Sequence, residues 1–167
     1  EVVVLKDQNA PVSAAGVNSE LNCKTTQLSL DGTGSSIGVQ YTYSWSTASG
    51  KIVSGGNTLS PVVSKPGIYT LTVTDVANTC TTTATVTVLE NKTPPQVDAT
   101  ATATLTCQLG QTTLQGNSTA AVAYAWSGPG LVSGGNTATT TVQTAGTYTL
   151  LVTDLQNGCT STATVQV

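Results

Sequence analysis

The sequence predicts an all-β chain folded as two antiparallel sandwiches in tandem, with essentially no helix. Three observations predict it. Threonine occurs 34 times in 167 residues, and together with valine it favours extended backbone, because branching at Cβ suits a pleated surface better than a helical one. The stretch GIYTLTVTDVANTCTTTATVTV (67–88) recurs as GTYTLLVTDLQNGCTSTATVQV (146–167), without a gap, at an offset of 79. Short alternating runs are separated by turn residues every 8 to 12 residues or so, the rhythm of a sandwich.

The repeat sets the domain boundaries. Trp45 matches Trp126 at an offset of 81, while Cys23 and Leu30 match Cys107 and Leu114 at 84. The offset changes only near GTGSSIGVQ (32–40) and STASGK (46–51), both expected loops, where insertions are tolerated. At the 84 offset EVVVL (1–5) falls on TVTVL (85–89), the end of a last strand. The chain therefore reads as an excerpt of a longer array: 1–5 the last-strand tail of a preceding repeat, 6–88 the first repeat and 89–167 the second, with EVVVL as an edge strand of the first domain the alternative.

Within a repeat, QLSLDG (27–32) contributes Leu28 and Leu30 to an early strand. YTYSW (41–45) and VAYAW (122–126) place Trp45 and Trp126 on an inward face. YTLTVTD (69–75) alternates, with Tyr69, Leu71 and Val73 on one side and threonines on the other; Tyr148 is the counterpart of Tyr69. Trp45, Tyr69, Trp126 and Tyr148 are the expected core. ATVTV (84–88) closes the repeat in the same alternating way. Asp31-Gly32, Pro66-Gly67 and Asn157-Gly158 mark turns. VSGGNT occurs at 53–58 and again at 132–137. Gly-Gly-Asn readily supplies positive φ, so the motif reads as a turn built twice, with a ligand loop used twice as the alternative.

A repeat of about 80 residues has a small core, and cysteine supplies a staple. Equivalent placement argues for one bridge in each repeat, Cys23 with Cys80 and Cys107 with Cys159, although four cysteines allow three connectivities. A bridge closing 57 residues stabilises by roughly 4 kcal/mol in the chain-entropy model. Zinc is the weaker alternative: there is no CxxC and no histidine, and a structural zinc takes four ligands.

Several function classes are disfavoured. The net charge is −3 and arginine is absent, which argues against nucleic acid. No apolar run reaches the roughly 18 residues of a membrane helix. Histidine is absent and the acids are scattered, so no acid–base pair suggests catalysis; no enzyme and no cofactor are expected. Glu90 and Asp98, with Asp75 or Asp7, offer at best a weak calcium site at the junction LENKTPPQVDAT (89–100), where Pro94-Pro95 reads as a stiff connection. Outward threonines read as a soluble β face, or as acceptors of O-glycans. NKT (91–93) and NST (117–119) fit the N-glycosylation sequon. EVVVL could instead complete a neighbour's sheet by strand addition.

PGIYTLTVTD (66–75), AGTYTLLVTD (145–154), LSLDGTGS (28–35) and the Tyr/Ser/Trp run at 41–46 resemble the strands of PKD-type immunoglobulin-like domains. STASGK (46–51) and SGPG (127–130) depart from the Asp-Phe-Gly-Asp-Gly turn usual there. The combined pattern is similar to the tandem repeats of large Bacteroidota surface proteins, the SprB-type gliding adhesins. That resemblance implies Ig/PKD-like sandwiches on an extracellular bacterial surface. It also implies a non-catalytic structural and adhesive role in a rod or filament, with neighbouring repeats of the same protein as partners, self-assembly among them, and a surface or glycan ligand unnamed. The alternative is a carbohydrate-binding accessory module of a secreted enzyme.

Overall fold

The computed structural model describes residues 8–16 and 19–167. The expected tail strand at 1–5 and Asp7 lie outside the described residues. The chain divides into two compact units, Glu1–Asn91 and Lys92–Val167. Among the described residues there are fourteen strands and no helix.

In the first unit one sheet has the order β1-β7-β6-β3, formed by Ser19–Asn22, Thr81–Asn91, Gly67–Asp75 and Tyr41–Thr47. The other is β2-β5-β4, formed by Leu28–Ser29, Val62–Lys65 and Lys51–Ser54. β1 runs parallel to β7, and β6 lies antiparallel to β7 and β3. β7 continues to Asn91, so Leu89, Glu90 and Asn91 are strand residues of this unit. The alternation of β6 does what its pattern dictates: Tyr69, Leu71 and Val73 are buried, together with Trp45, Val63, Val86 and Val88.

In the second unit β10, β13 and β14 (Val122–Ser127, Thr147–Asp154 and Thr160–Gln166) form one sheet. The other has the order β11-β12-β9-β8, from Leu131–Ser133, Thr139–Val142, Thr112–Ser118 and Val97–Ala101. This is the four-plus-three strand arrangement of an immunoglobulin constant-type sandwich. Its core holds Leu114, Trp126, Val142, Tyr148, Leu150 and Val152.

The VSGGNT stretch is a turn in both units, and it also holds the tryptophan. Gly55 and Gly134 have φ of 70° and 75°. That bend lets Thr58 N–H donate to Gly55 C=O at 2.9 Å, and Thr137 N–H to Gly134 C=O at 3.1 Å. The Trp45 backbone N–H donates to Gly56 C=O at 2.7 Å, as Trp126 does to Gly135 at 2.7 Å. The indole N–H groups donate to Thr58 C=O at 3.0 Å and Thr137 C=O at 3.1 Å. A buried N–H left unpaired is costly, and this loop pairs two of them in each unit.

Tyr69 and Tyr148 form a second matched device. Tyr69 O–H donates to Lys65 C=O at 2.6 Å, and Tyr148 O–H to Thr144 C=O at 2.6 Å, each four residues upstream. A tyrosine tied back to the preceding corner is a hallmark of immunoglobulin-like sandwiches.

Candidate functional site at the cysteine turns

The four cysteines sit in two kinds of turn, each built twice. The second cysteine of a repeat closes the turn Asp-x-x-Asn-x-Cys. Asp75 Oδ1 accepts from Ala77 N–H at 2.9 Å, and Asn78 Oδ1 accepts from Cys80 N–H at 2.9 Å. In the second unit Asp154 Oδ1 accepts from Gln156 N–H at 2.7 Å, and Asn157 Oδ1 from Cys159 N–H at 2.8 Å. The backbone N–H groups of Asp75 and Asp154 close both turns onto the carbonyls of Cys80 and Cys159, each at 2.9 Å. Thr79 (φ 64°) and Gly158 (φ 73°) occupy the same left-handed position. Asn78 Nδ2 donates to Asn9 C=O at 2.9 Å, and Asn157 Nδ2 to Thr93 C=O at 2.9 Å. Both turns are thus fastened to the stretch that leads into their own repeat.

The first cysteine of a repeat sits in a polar turn of another design. Asn22 Oδ1 accepts from Lys24 N–H at 3.0 Å and Thr25 N–H at 2.7 Å, around Cys23. Thr106 Oγ1 does the same for Gln108 N–H at 3.3 Å and Leu109 N–H at 2.9 Å, around Cys107. Backbone bonds Asn22 N–H to Thr25 C=O and Thr106 N–H to Leu109 C=O, at 2.9 and 3.1 Å, complete the match.

The bonding state corrects the pairing expected from sequence. Cys23 and Cys159 are disulfide-bonded, whereas Cys80 and Cys107 are free thiols. Neither Cys23–Cys80 nor Cys107–Cys159 is formed. Strand direction is the reason. Parallel pairing sets Asn22 opposite Asn91, so Cys23 lies at the far end of β7 from Cys80, which precedes its first residue. At about 3.3 Å per strand residue that separation is roughly 35 Å, and a disulfide needs Cα atoms within about 7 Å. In the second unit residues 99–104 share a groove with Val165–Val167, at the end of β14 remote from Cys159. Cys107 follows Thr104 by three residues, a reach of about 10 Å at full extension.

The remaining candidate residues resolve into structure. All seven aromatics, five Tyr and two Trp, are buried or pack against a core as half-buried side chains. The charged groups are dispersed: no three of His, Cys, Asp and Glu come together among the described residues. Asp31 is exposed, and the Thr33 hydroxyl (2.6 Å) and Thr33 N–H (2.9 Å) hold its carboxyl below the usual range. Among the described residues no helix is long and apolar enough to cross a membrane. The signal that sequence reading missed was Asn78 and Asn157. The DxxNxC spacing repeats, but only the structure shows the amide linking the cysteine turn to the leading stretch.

No family model matches the chain, and no curated protein matches it. Solved structures do. The N-terminal eight Ig domains of Down Syndrome Cell Adhesion Molecule are 11% identical over 95% of this chain and 27% of that one, with a TM-score of 0.51. Three N-terminal domains of the bacteriophage RB49 Highly Immunogenic Outer Capsid protein are 15% identical, covering 94% and 58%, with a TM-score of 0.43. An I-band fragment of titin is 12% identical, covering 95% and 63%, with a TM-score of 0.40. The chain spans less than two thirds of the length of each of these structures. At such identities the likeness to the cell adhesion molecule shows the fold alone. On that likeness, the strand orders and the paired tyrosine corners, the chain is a tandem of immunoglobulin-like β-sandwiches.

Proposed function

We propose that the chain is a non-catalytic structural and adhesive repeat of an extracellular rod or filament on a bacterial surface. Duplication carries the reading. Both units use the same motifs for the same backbone tasks: a glycine turn that holds a tryptophan, a tyrosine corner, and a cysteine at each end. Motifs that looked like candidate loops are engaged in holding the sandwich. Neighbouring repeats of the same protein are the proposed partners, and repetition supplies length. On the resemblance of its strand motifs, the rod belongs with the large gliding adhesins of Bacteroidota.

Rigidity in this reading comes from the tryptophan and tyrosine devices, since within-repeat disulfides are not formed. The outward threonines leave a polar, weakly charged face suited to close lateral contact.

The test is immunogold electron microscopy of intact source cells with antibodies to residues 1–167. Label on thin surface projections is expected. Intact cells free of label, with label appearing only in sectioned cells and confined to the interior, would overturn the reading. A polysaccharide-induced shift in the emission of Trp45 and Trp126 would favour the carbohydrate-binding alternative. That alternative draws no support from the placement of the aromatic side chains, all of which belong to the cores.

A further inference from the structure

We infer that Cys80 and Cys107 are complementary covalent couplers: Cys107 of one copy of this chain forms a disulfide with Cys80 of a second copy, head to tail. The inference deepens the structural-repeat reading and rests on it for its biological setting, though not for its chemistry.

The first observation is equivalence. Cys107 occupies the repeat position of Cys23, and Cys80 that of Cys159. Cys23 and Cys159 are half-cystines while their counterparts are free thiols. One cysteine of each kind is therefore oxidised and one of each kind is reduced.

The second observation is presentation. Cys80 is held by the turn that holds Cys159, with corresponding hydrogen bonds agreeing within about 0.2 Å. Cys107 is held by the turn that holds Cys23, with Thr106 replacing Asn22 as the acceptor. The backbone that delivers a sulfur to a disulfide at one position is thus already built at the other.

The third observation is polarity within each unit. Cys80 lies at the leading end of the first unit, where Asn78 binds Asn9. In the second unit Thr104, three residues before Cys107, shares a groove with Val167 at the trailing end. A single Cys107–Cys80 bond per pair of copies leaves one thiol of each kind unused, so further copies can add until the rotation between them closes a ring. Each thiol also has an exposed aliphatic residue in its own turn, Val76 (54% exposed) beside Cys80 and Leu109 (42%) beside Cys107, which gives both ends apolar surface to bury. Cys107 is exposed and Cys80 half-buried, so both can be reached.

The reaction balances as thiol–disulfide exchange. The two S–H bonds break and one S–S bond forms. Two protons and two electrons pass to a disulfide oxidant, glutathione disulfide in the test, which is reduced to two glutathione thiols.

The experiment uses the full chain with Cys80→Ser and Cys107→Ser variants, incubated in glutathione redox buffer. Products are read on non-reducing gels and by mass spectrometry of non-reduced peptides. Wild type is expected to give a ladder of covalent oligomers containing a Cys80–Cys107 peptide. Each variant alone is expected to stay monomeric, and an equal mixture to give a dimer that goes no further. Dimerisation of either variant by itself would overturn the proposal. So would a Cys80–Cys107 bond confined to monomer, or wild type left monomeric with both thiols open to alkylation. Peptide mapping of wild type keeps the test decisive should a variant misfold. Surface labelling combined with unreactive thiols would sink this inference and leave the proposed function standing; oligomers without surface labelling would do the reverse.

Discussion

The indole N–H of Trp45 donates to the carbonyl of Thr58, thirteen residues away, at 3.0 Å. Trp126 and Thr137 repeat the bond at 3.1 Å. Both loops reach the tryptophan because a glycine in left-handed backbone turns the chain over it. Each unit thus satisfies its largest side chain with loop backbone in place of another side chain.

Gly134 and Gly135 separate the demands of that loop. Gly134 has φ of 75°, and an added Cβ there would collide with Thr139 C=O, whereas one at Gly135 would meet nothing within 4 Å. Gly134→Ala is expected to destabilise the second unit by about 1–3 kcal/mol and to loosen Trp126. Gly135→Ala should lie within about 0.5 kcal/mol of wild type. Urea titration followed by tryptophan emission reads both.

Tyr69→Phe and Tyr148→Phe remove only the corner hydroxyls. Tyr69 O–H also accepts from Lys51 N–H at 2.9 Å, so its loss leaves a part-buried donor as well as the Lys65 carbonyl unpaired. Each variant is expected to lose about 1–3 kcal/mol, seen as a lowered urea midpoint with an unchanged slope. A loss below about 0.3 kcal/mol would show that water replaces these bonds at no cost.

Asp31 gives a pH signature. Its folded carboxyl titrates below its ordinary value because the Thr33 hydroxyl and then the Thr33 N–H hydrogen-bond the charged form, with slight desolvation opposing them. A depressed folded pKa contributes stability above the unfolded value, and that stability is lost as pH falls through the folded one. Thr33→Val removes the larger contribution, so the Asp31 pKa should rise toward the ordinary carboxylate range. A carbon-detected NMR titration of the carboxyl would show it, and an unmoved midpoint would contradict the assignment.

Much of this fold is legible in the residues. The alternation in YTLTVTD placed Tyr69, Leu71 and Val73 inward, and all three are buried. Glycine and asparagine marked the turn at 55–58, since positive φ is a local demand that a residue type can announce. That the turn holds Trp45 was illegible, because the acceptors are carbonyls of Gly56 and Thr58 and a carbonyl is common to every residue. The cysteine sites show the same limit. Repeat equivalence locates Cys23 and Cys80 in the chain, but their separation depends on the direction in which β1 pairs with β7. Sequence spacing carries no such information, and the within-repeat pairing failed there.

Each sandwich carries its two cysteines toward opposite ends and holds no bridge of its own. Alkylation of the monomeric protein before and after reduction, read by peptide mass spectrometry, tests it directly. Before reduction, label is expected on Cys80 and Cys107 alone, faster on exposed Cys107 than on half-buried Cys80; Cys23 and Cys159 should take it only after reduction. A Cys23–Cys80 or Cys107–Cys159 peptide in the unreduced digest would contradict the parallel pairing of β1 with β7 and the separation of the two cysteines in each sandwich.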